Sequence, residues 1–265
     1  MKSIQYAIES DMAGLAGLFV TGTDTGVGKT WVAATLTRLL VQRGLLVRPR
    51  KPVESGCASG EGGLLPQDAV VLWEAAGSTE SLQQVCAYPL RAAFSPERAA
   101  ALEGRTLTLD QLVTACQSGI GADDFLLVEG AGGLLSPLAA GTTNADLAAA
   151  LRLPVLVVAA DRLGVINHTL LTVEALQHRA LPLVGVVLNQ AGPMTDPLMD
   201  NAADLAHWLD CPVERVLHRP GHQTPPWTGI GPFLHGLANR LAAAHAAPKG
   251  IPSNANCAVQ ERSGG

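Results

Sequence analysis

Gly17-Leu18-Phe19-Val20-Thr21-Gly22-Thr23-Asp24-Thr25-Gly26-Val27-Gly28-Lys29-Thr30 is the stretch that decides the fold. Its first five residues read as a buried strand. A helical apolar pattern runs from Thr30 to about Arg43, and Gly44 suits a C-cap. The glycine-rich turn between them ends in Gly-Lys-Thr, and strand, glycine turn and helix in that order is the context of a phosphate-binding loop. Glycines let backbone N–H groups converge on phosphate oxygens, and the helix N-terminus adds its positive end. In this reading Asp24, Thr25, Gly26, Val27 and Gly28 wrap the phosphates of ATP. Lys29 meets the outer phosphates, and the Thr30 hydroxyl meets a magnesium ion. The plainer alternative is a strand–helix turn without a ligand. The strict pattern wants glycine at position 23, where this chain has Thr23, and the glycine stands one residue earlier at Gly22.

Outward from this loop, short apolar runs alternate with helical patterns. Strands are expected at 45–48, 125–128, 154–159, 184–188 and 213–216. Helices are expected near 68–76, 96–103, 109–118, 144–151, 167–179, 197–209 and 230–247. Strands without polar alternation that are separated by helices imply a parallel sheet covered on both faces. The expected fold is therefore α/β: one P-loop NTPase-type domain over 15–247 with a mostly parallel sheet. Residues 1–14 read as a loose extension. The Pro-, Gly-, Ser- and Asn-rich residues 248–265 read as a disordered tail.

Composition narrows the partners. Aromatic residues are only 4%, so the core must be built from Ala, Leu and Val. The net charge is −5 with no basic run, which argues against nucleic acid. Cys57, Cys86, Cys116, Cys211 and Cys257 are odd in number and lack C-x-x-C spacing, so a reduced, cytoplasmic protein is expected. No basic n-region with a long apolar run opens the chain, and no stretch has the length of a membrane span.

Two further strand ends carry candidate chemistry. Lys51, in Lys51-Pro52-Val53-Glu54-Ser55-Gly56, sits where a parallel strand stops, and ligands gather at such ends. Taken alone, a lysine there is more often a solvated charge. Glu129 follows the run Phe125-Leu126-Leu127-Val128, so its carboxylate is expected to face the nucleotide cleft as a magnesium ligand. Gly130, Ala131, Gly132 and Gly133 would let a ligand approach the backbone, or simply make a tight turn. His168 has no histidine or carboxylate partner at metal-site spacing within its helix.

Four segments, in order, resemble the dethiobiotin synthetase family. They are Gly22–Thr30, Lys51–Gly56, Val128–Gly133 and Leu163-Gly164-Val165-Ile166-Asn167-His168. Together they span most of residues 17–240. The resemblance implies an ATP- and magnesium-dependent ligase that joins CO2 (bicarbonate) to 7,8-diaminononanoate. A carbamate and then a carbamic–phosphoric anhydride precede ring closure to dethiobiotin. It implies catalytic roles for Lys51 and Lys29, and a Ser55 hydroxyl on the carbamate or the substrate amine. It gives nucleotide contacts to Glu129, Gly130, Gly132 and, on the adenine edge, Asn189. It also implies Asp68 as a magnesium ligand beside Thr30 and Glu129, and a homodimer in which Gly164, Val165, Ile166 and Asn167 bind the substrate carboxylate of the other subunit. From residue type alone, Asp68 equally suits a helix N-cap, Asn189 a turn, and the 164–168 helix start burial within one chain. Gly26 stands where the family often has Glu, and Glu97 where it often has His.

Two other readings share the front of the sequence. A cobalamin-pathway amidoligase would also need a glutaminase domain with a Cys nucleophile, for which this chain is expected to be too short, and Lys51-Pro52-Val53 fits that group less well. A nucleotide switch of the partition ATPase type would carry its signature lysine at position 24, where this chain has Asp24. Residues 248–265 also lack the apolar face of a membrane-binding helix.

Overall fold

The computed structural model describes residues 16–60, 62–190, 198–217 and 232–247. The expected N-terminal extension and C-terminal tail, Cys257, and the first residues of the helices expected at 197 and 230 lie outside the described residues. In chain order the elements begin β1 (Gly17–Gly22), α1 (Lys29–Gln42), β2 (Leu46–Arg50), β3 (Val53–Ser55), β4 (Ala58–Gly60), β5 (Gly63–Leu65) and α2 (Gln67–Ala75). They continue with α3 (Leu82–Val85), β6 (Tyr88–Leu90), α4 (Pro96–Leu102), α5 (Leu109–Gln117), β7 (Asp124–Gly133), β8 (Pro137–Ala139) and β9 (Thr142–Thr143). The last are α6 (Asn144–Leu151), β10 (Val155–Ala160), α7 (Val165–His178), β11 (Leu183–Asn189), α8 (Asn201–Trp208), β12 (Val213–Val216) and α9 (Pro232–Ala246).

The central sheet has the order β12-β11-β10-β1-β7-β2, and every pairing in it is parallel. Parallel strands bury both faces, which explains the continuous apolar runs. On one face, Leu18 and Val20 of β1, Phe125 and Leu127 of β7, and Leu156 and Val158 of β10 pack with α1, α2 and α9. On the other, Phe19, Leu126, Val128, Val155 and Val157 pack with α5, α6, α7 and α8. The expected strands and helices fall close to these elements. The short β3, β4, β5, β6, β8 and β9 and the four-residue α3 were not expected, because three or four residues carry no periodicity to read.

Chain order reverses at β1: the chain leaves it for β2, inserts β7 between the two, then returns to β10. Ligands of open α/β sheets bind at such switch points, beyond the carboxyl ends of the strands. Alternation then aims the side chains. Continuing the face of Phe125 and Leu127, Glu129 points to the α1 side. The register of β1 against β7 shifts after Val20↔Glu129, so that Gly22 pairs Gly133. The glycine run takes up this bulge.

The edge strand β2 is anchored by a buried guanidinium. Arg50 is fully buried and makes two hydrogen bonds of 2.9 Å to the Glu80 carboxylate. It also donates to the Ser118 carbonyl at 2.8 Å, tying the end of β2 to the α5 C-terminus. Lys51 is the next residue, and its backbone N–H bonds the Val85 carbonyl at 2.8 Å. Removing one partner of a buried ion pair costs about 3–5 kcal/mol, because the other charge stays buried. Glu80→Ala should therefore lower the melting temperature by roughly 6–20 °C for a chain of this size. Differential scanning calorimetry checks this, and a shift under about 2 °C would show that the pair contributes nothing.

Candidate active site

The loop between β1 and α1 closes in the way its glycines require. Gly26 and Gly28 have φ values of 72° and 93°, left-handed backbone that favours glycine. A side chain on Gly28 would also run into the Asn189 amide. A Cβ on Gly22 would meet Val27 at 2.8 Å and the Asp24 carbonyl at 2.9 Å, so a glycine is needed here rather than at position 23. Lys29 is the first residue of α1, and its ammonium curls back to the Asp24 carbonyl at 2.9 Å. The Asp24 side chain accepts the Thr25 N–H at 2.7 Å within the loop.

Three carboxylates and two lysines converge in front of this loop. Lys51 is 3% exposed, and its ammonium donates to Glu129 Oε1 at 2.6 Å and to the Gly130 carbonyl at 3.2 Å. It also lies 3.1 Å from Asp68 Oδ2. The Thr30 hydroxyl donates to the same Glu129 oxygen at 2.9 Å. Glu54 accepts the backbone N–H groups of Asp68 and Ala69, each at 3.1 Å. These groups line a cleft of ≈ 610 Å³ together with the loop and the segment Ala93–Pro96.

Electrostatics follow from this packing. Burial works against the Lys51 charge, but Glu129 and Asp68 outweigh it and hold the ammonium above its usual range. Burial, followed by the positive charge of Lys51, pushes Lys29 down to about 8. Burial raises Glu54 to about 7, with the charge of Asp68 acting in the same direction. Asp68 is lowered, because Lys51 overcomes the opposing effect of burial. A nucleotide's phosphates would restore the charge that Lys29 stands to lose.

A divalent cation fits here by the chemistry of the donors. Glu129 Oε2 is buried without a hydrogen-bond partner among the described residues, and Asp68 and the Thr30 hydroxyl are its neighbours in the cleft. Among the described residues no group of three or more His, Cys, Asp or Glu forms a metal cage. Two carboxylates and a hydroxyl, completed by phosphate oxygens and water, are the usual protein share of a magnesium site.

The cleft brings together Thr25, Gly26, Gly28, Lys29, Thr30, Lys51, Ser55, Asp68, Glu129 and Gly132 from the expected set. Several candidates sit elsewhere. Val27 is buried in the α1 core. Gly130 has a packing reason to be small, since a Cβ there would meet Asn144 Oδ1 at 2.5 Å. Asn189 ends β11 and donates its amide to the Val27 carbonyl at 3.0 Å, bracing the loop. Residues 191–197 beyond it lie outside the described residues. Gly164, Val165, Ile166 and Asn167 open α7 away from the cleft lining, and α7 starts at Val165 rather than 167. Asp68 is not an N-cap: Pro66 holds that position and Asp68 is the second residue of α2.

Ser55 donates to the Phe94 carbonyl at 2.7 Å, so its oxygen is left as an acceptor, suited to an amine N–H rather than to a carbamate oxygen. Glu97 accepts the Gly141 N–H at 2.9 Å, a structural use. Glu54, whose partners are 14 and 15 residues away, and Asn144 were not found from the sequence. Asn144 binds the N–H and carbonyl of Ala131 and the carbonyl of Gly133 and so shapes the β7 end. Neither has a spacing signal. Cys57, Cys86, Cys116 and Cys211 are buried free thiols, and no described helix is long and apolar enough to cross a membrane.

A family model described as an AAA domain matches residues 16–218. The ATP-dependent dethiobiotin synthetase BioD of Anaeromyxobacter dehalogenans strain 2CP-C is 49% identical over 231 residues, covering 86% of this chain and 98% of that protein. The proteins of the same name from Vesicomyosocius okutanii and Cellvibrio japonicus are 46% and 44% identical, covering 75% and 76% of this chain and 88% of each relative. The family model's span includes the loop, Lys51 and Glu129, and the chain belongs to the dethiobiotin synthetase family of ATP-dependent ligases.

Proposed function

We propose that this chain is a cytoplasmic, magnesium-dependent synthetase that joins CO2 to 7,8-diaminononanoate and closes the cyclic urea of dethiobiotin with ATP. Residues 15–247 form the catalytic domain in this reading. The observation that carries it is the buried Lys51 ammonium held between Glu129 and Asp68 in front of a phosphate loop. Such a cation is placed to meet a carbamate on one side and a γ-phosphate on the other.

One substrate amine attacks CO2 and loses a proton to give a carbamate. A carbamate oxygen attacks the γ-phosphorus and ADP leaves. The second amine attacks the anhydride carbonyl and loses a proton, phosphate departs, and the ring closes. The protein's part is positioning and charge neutralisation, which dominate phosphoryl transfer. Lys51 stabilises the carbamate and the charge moving onto the bridging oxygens. Lys29 follows the outer phosphates, and the Ser55 oxygen receives an N–H of the substrate amine. Thr30, Asp68 and Glu129 would hold magnesium, which supplies neutralisation of phosphate charge. Asn189 braces the loop at its adenine side.

The far end of the substrate needs a second anchor. Gly164 has φ 92° and turns the chain sharply into the 14-residue α7. The Val165 N–H is already bonded to the Arg162 carbonyl at 3.1 Å. The amides of Ile166 and Asn167 are those that helix geometry leaves for a carboxylate. Leu163 and Leu171 beside them are 92% and 57% exposed, which favours a second copy of the chain as their cover. In this homodimer each cleft is completed by α7 of the other subunit.

Lys29→Ala and Lys51→Ala should fail differently. Calorimetric titration should show ADP affinity reduced by about tenfold or more in the first, which loses a charge-assisted phosphate contact. The second should bind ADP normally while turnover falls by on the order of 10²–10³. Near-normal turnover in Lys51→Ala would remove its catalytic role. A mixed dimer of Lys51→Ala chains with Ile166→Pro chains should recover one working site in two. Full activity from a proven monomer, or no recovery on mixing, would reject the shared site.

A further inference from the structure

Glu54 is 8% exposed and lies in β3, three residues after Lys51. Its two carboxylate oxygens accept one hydrogen bond each from the N–H groups of Asp68 and Ala69. Those amides belong to the first turn of α2, where a helix cannot satisfy its own donors. The residue at the cap position is Pro66, which makes no side-chain cap. The cap is therefore supplied from another strand, and it holds the very residue whose carboxylate lies 3.1 Å from Lys51.

A simple helix cap could be made locally by a hydroxyl or amide at position 66. Instead the chain buries a third carboxylate beside Asp68 and Glu129, an arrangement that costs repulsion and desolvation. Both Glu54 oxygens are engaged by helix amides, which gives the carboxylate the work of holding the α2 start. We infer that Glu54 is a positioning residue for the divalent cation: by clamping the first turn of α2 to β3, it holds the Asp68 carboxylate in register with Glu129 and Thr30. This rests on the reading that Asp68, Glu129 and Thr30 hold the cation. Glu54 touches neither nucleotide nor metal in this scheme, and it acts only through Asp68.

The test uses full-length protein and Mn²⁺ as the probe. Mn²⁺ is titrated into the ADP complex of the parent chain, Glu54→Gln, Glu54→Ala and Asp68→Asn, with free Mn²⁺ read by electron paramagnetic resonance. ADP affinity in EDTA and the melting temperature are measured alongside. Glu54→Gln keeps shape and one acceptor oxygen, so it remains informative where Glu54→Ala does not fold. In Glu54→Gln, Mn²⁺ affinity should fall about tenfold, the usual loss when the group orienting a metal ligand is removed. ADP affinity in EDTA should stay within about twofold, a change of under 0.5 kcal/mol. Unchanged Mn²⁺ affinity in Glu54→Gln, with a clear loss in Asp68→Asn, would overturn the positioning role alone. Equal losses of Mn²⁺ binding and of metal-free ADP binding would also overturn it, since they mark general disruption of the cleft. Unchanged Mn²⁺ affinity in Asp68→Asn would remove the underlying cation-site reading as well.

Discussion

A lysine ammonium buried beyond the end of an edge strand is the constraint on which the rest of this molecule depends. Taking such a charge out of water costs several kcal/mol unless close anions and further acceptors compensate. Lys51 finds them in Glu129 at 2.6 Å, Asp68 at 3.1 Å and the Gly130 carbonyl. These partners come from two segments separate from the one that carries Lys51, so the charge balance of the cleft is satisfied only when the end of β2, β7 and the start of α2 are all in place. The Arg50 network directly behind Lys51 serves the same end, since it fixes the strand from which the lysine projects.

The topology makes that convergence possible. Inserting β7 between β1 and β2 sets the phosphate loop, Glu129 and Lys51 on three consecutive strands, all with their carboxyl ends on one side. Alternation along β7 turns Glu129 toward α1, where Thr30 already waits at the helix start. The register shift between β1 and β7 then requires small residues, and Asn144 fills the space that the missing side chains leave. What looks in the sequence like a glycine-rich ligand loop is in part the packing of one buried asparagine.

Much of this was readable beforehand, for physical reasons. The parallel sheet was legible because strands buried on both faces must be apolar throughout, as in Val155–Ala159. The phosphate loop was legible because glycine backbone, lysine and threonine have fixed spacing. Glu129 was legible because it interrupts an apolar run just before the glycines that finish β7. Glu54 and Asn144 were not, since their partners are brought close only by the fold. Ser55 was named from the sequence, but the use of its proton on the Phe94 carbonyl is likewise a product of the fold. Asp68 had two readings from sequence. The structure removes the cap reading, because Pro66 takes the cap position and Glu54 supplies the cap oxygens.

In the proposed reaction these features serve one chemical event, transfer of a phosphoryl group to a carbamate formed on a diamine. The most direct measurement is ADP release from Mg-ATP with bicarbonate and 7,8-diaminononanoate each omitted in turn. The account predicts ADP only when both are present, because the acceptor oxygen of the phosphoryl group does not exist until amine and CO2 have combined. ADP release at a similar rate without the diamine would contradict it.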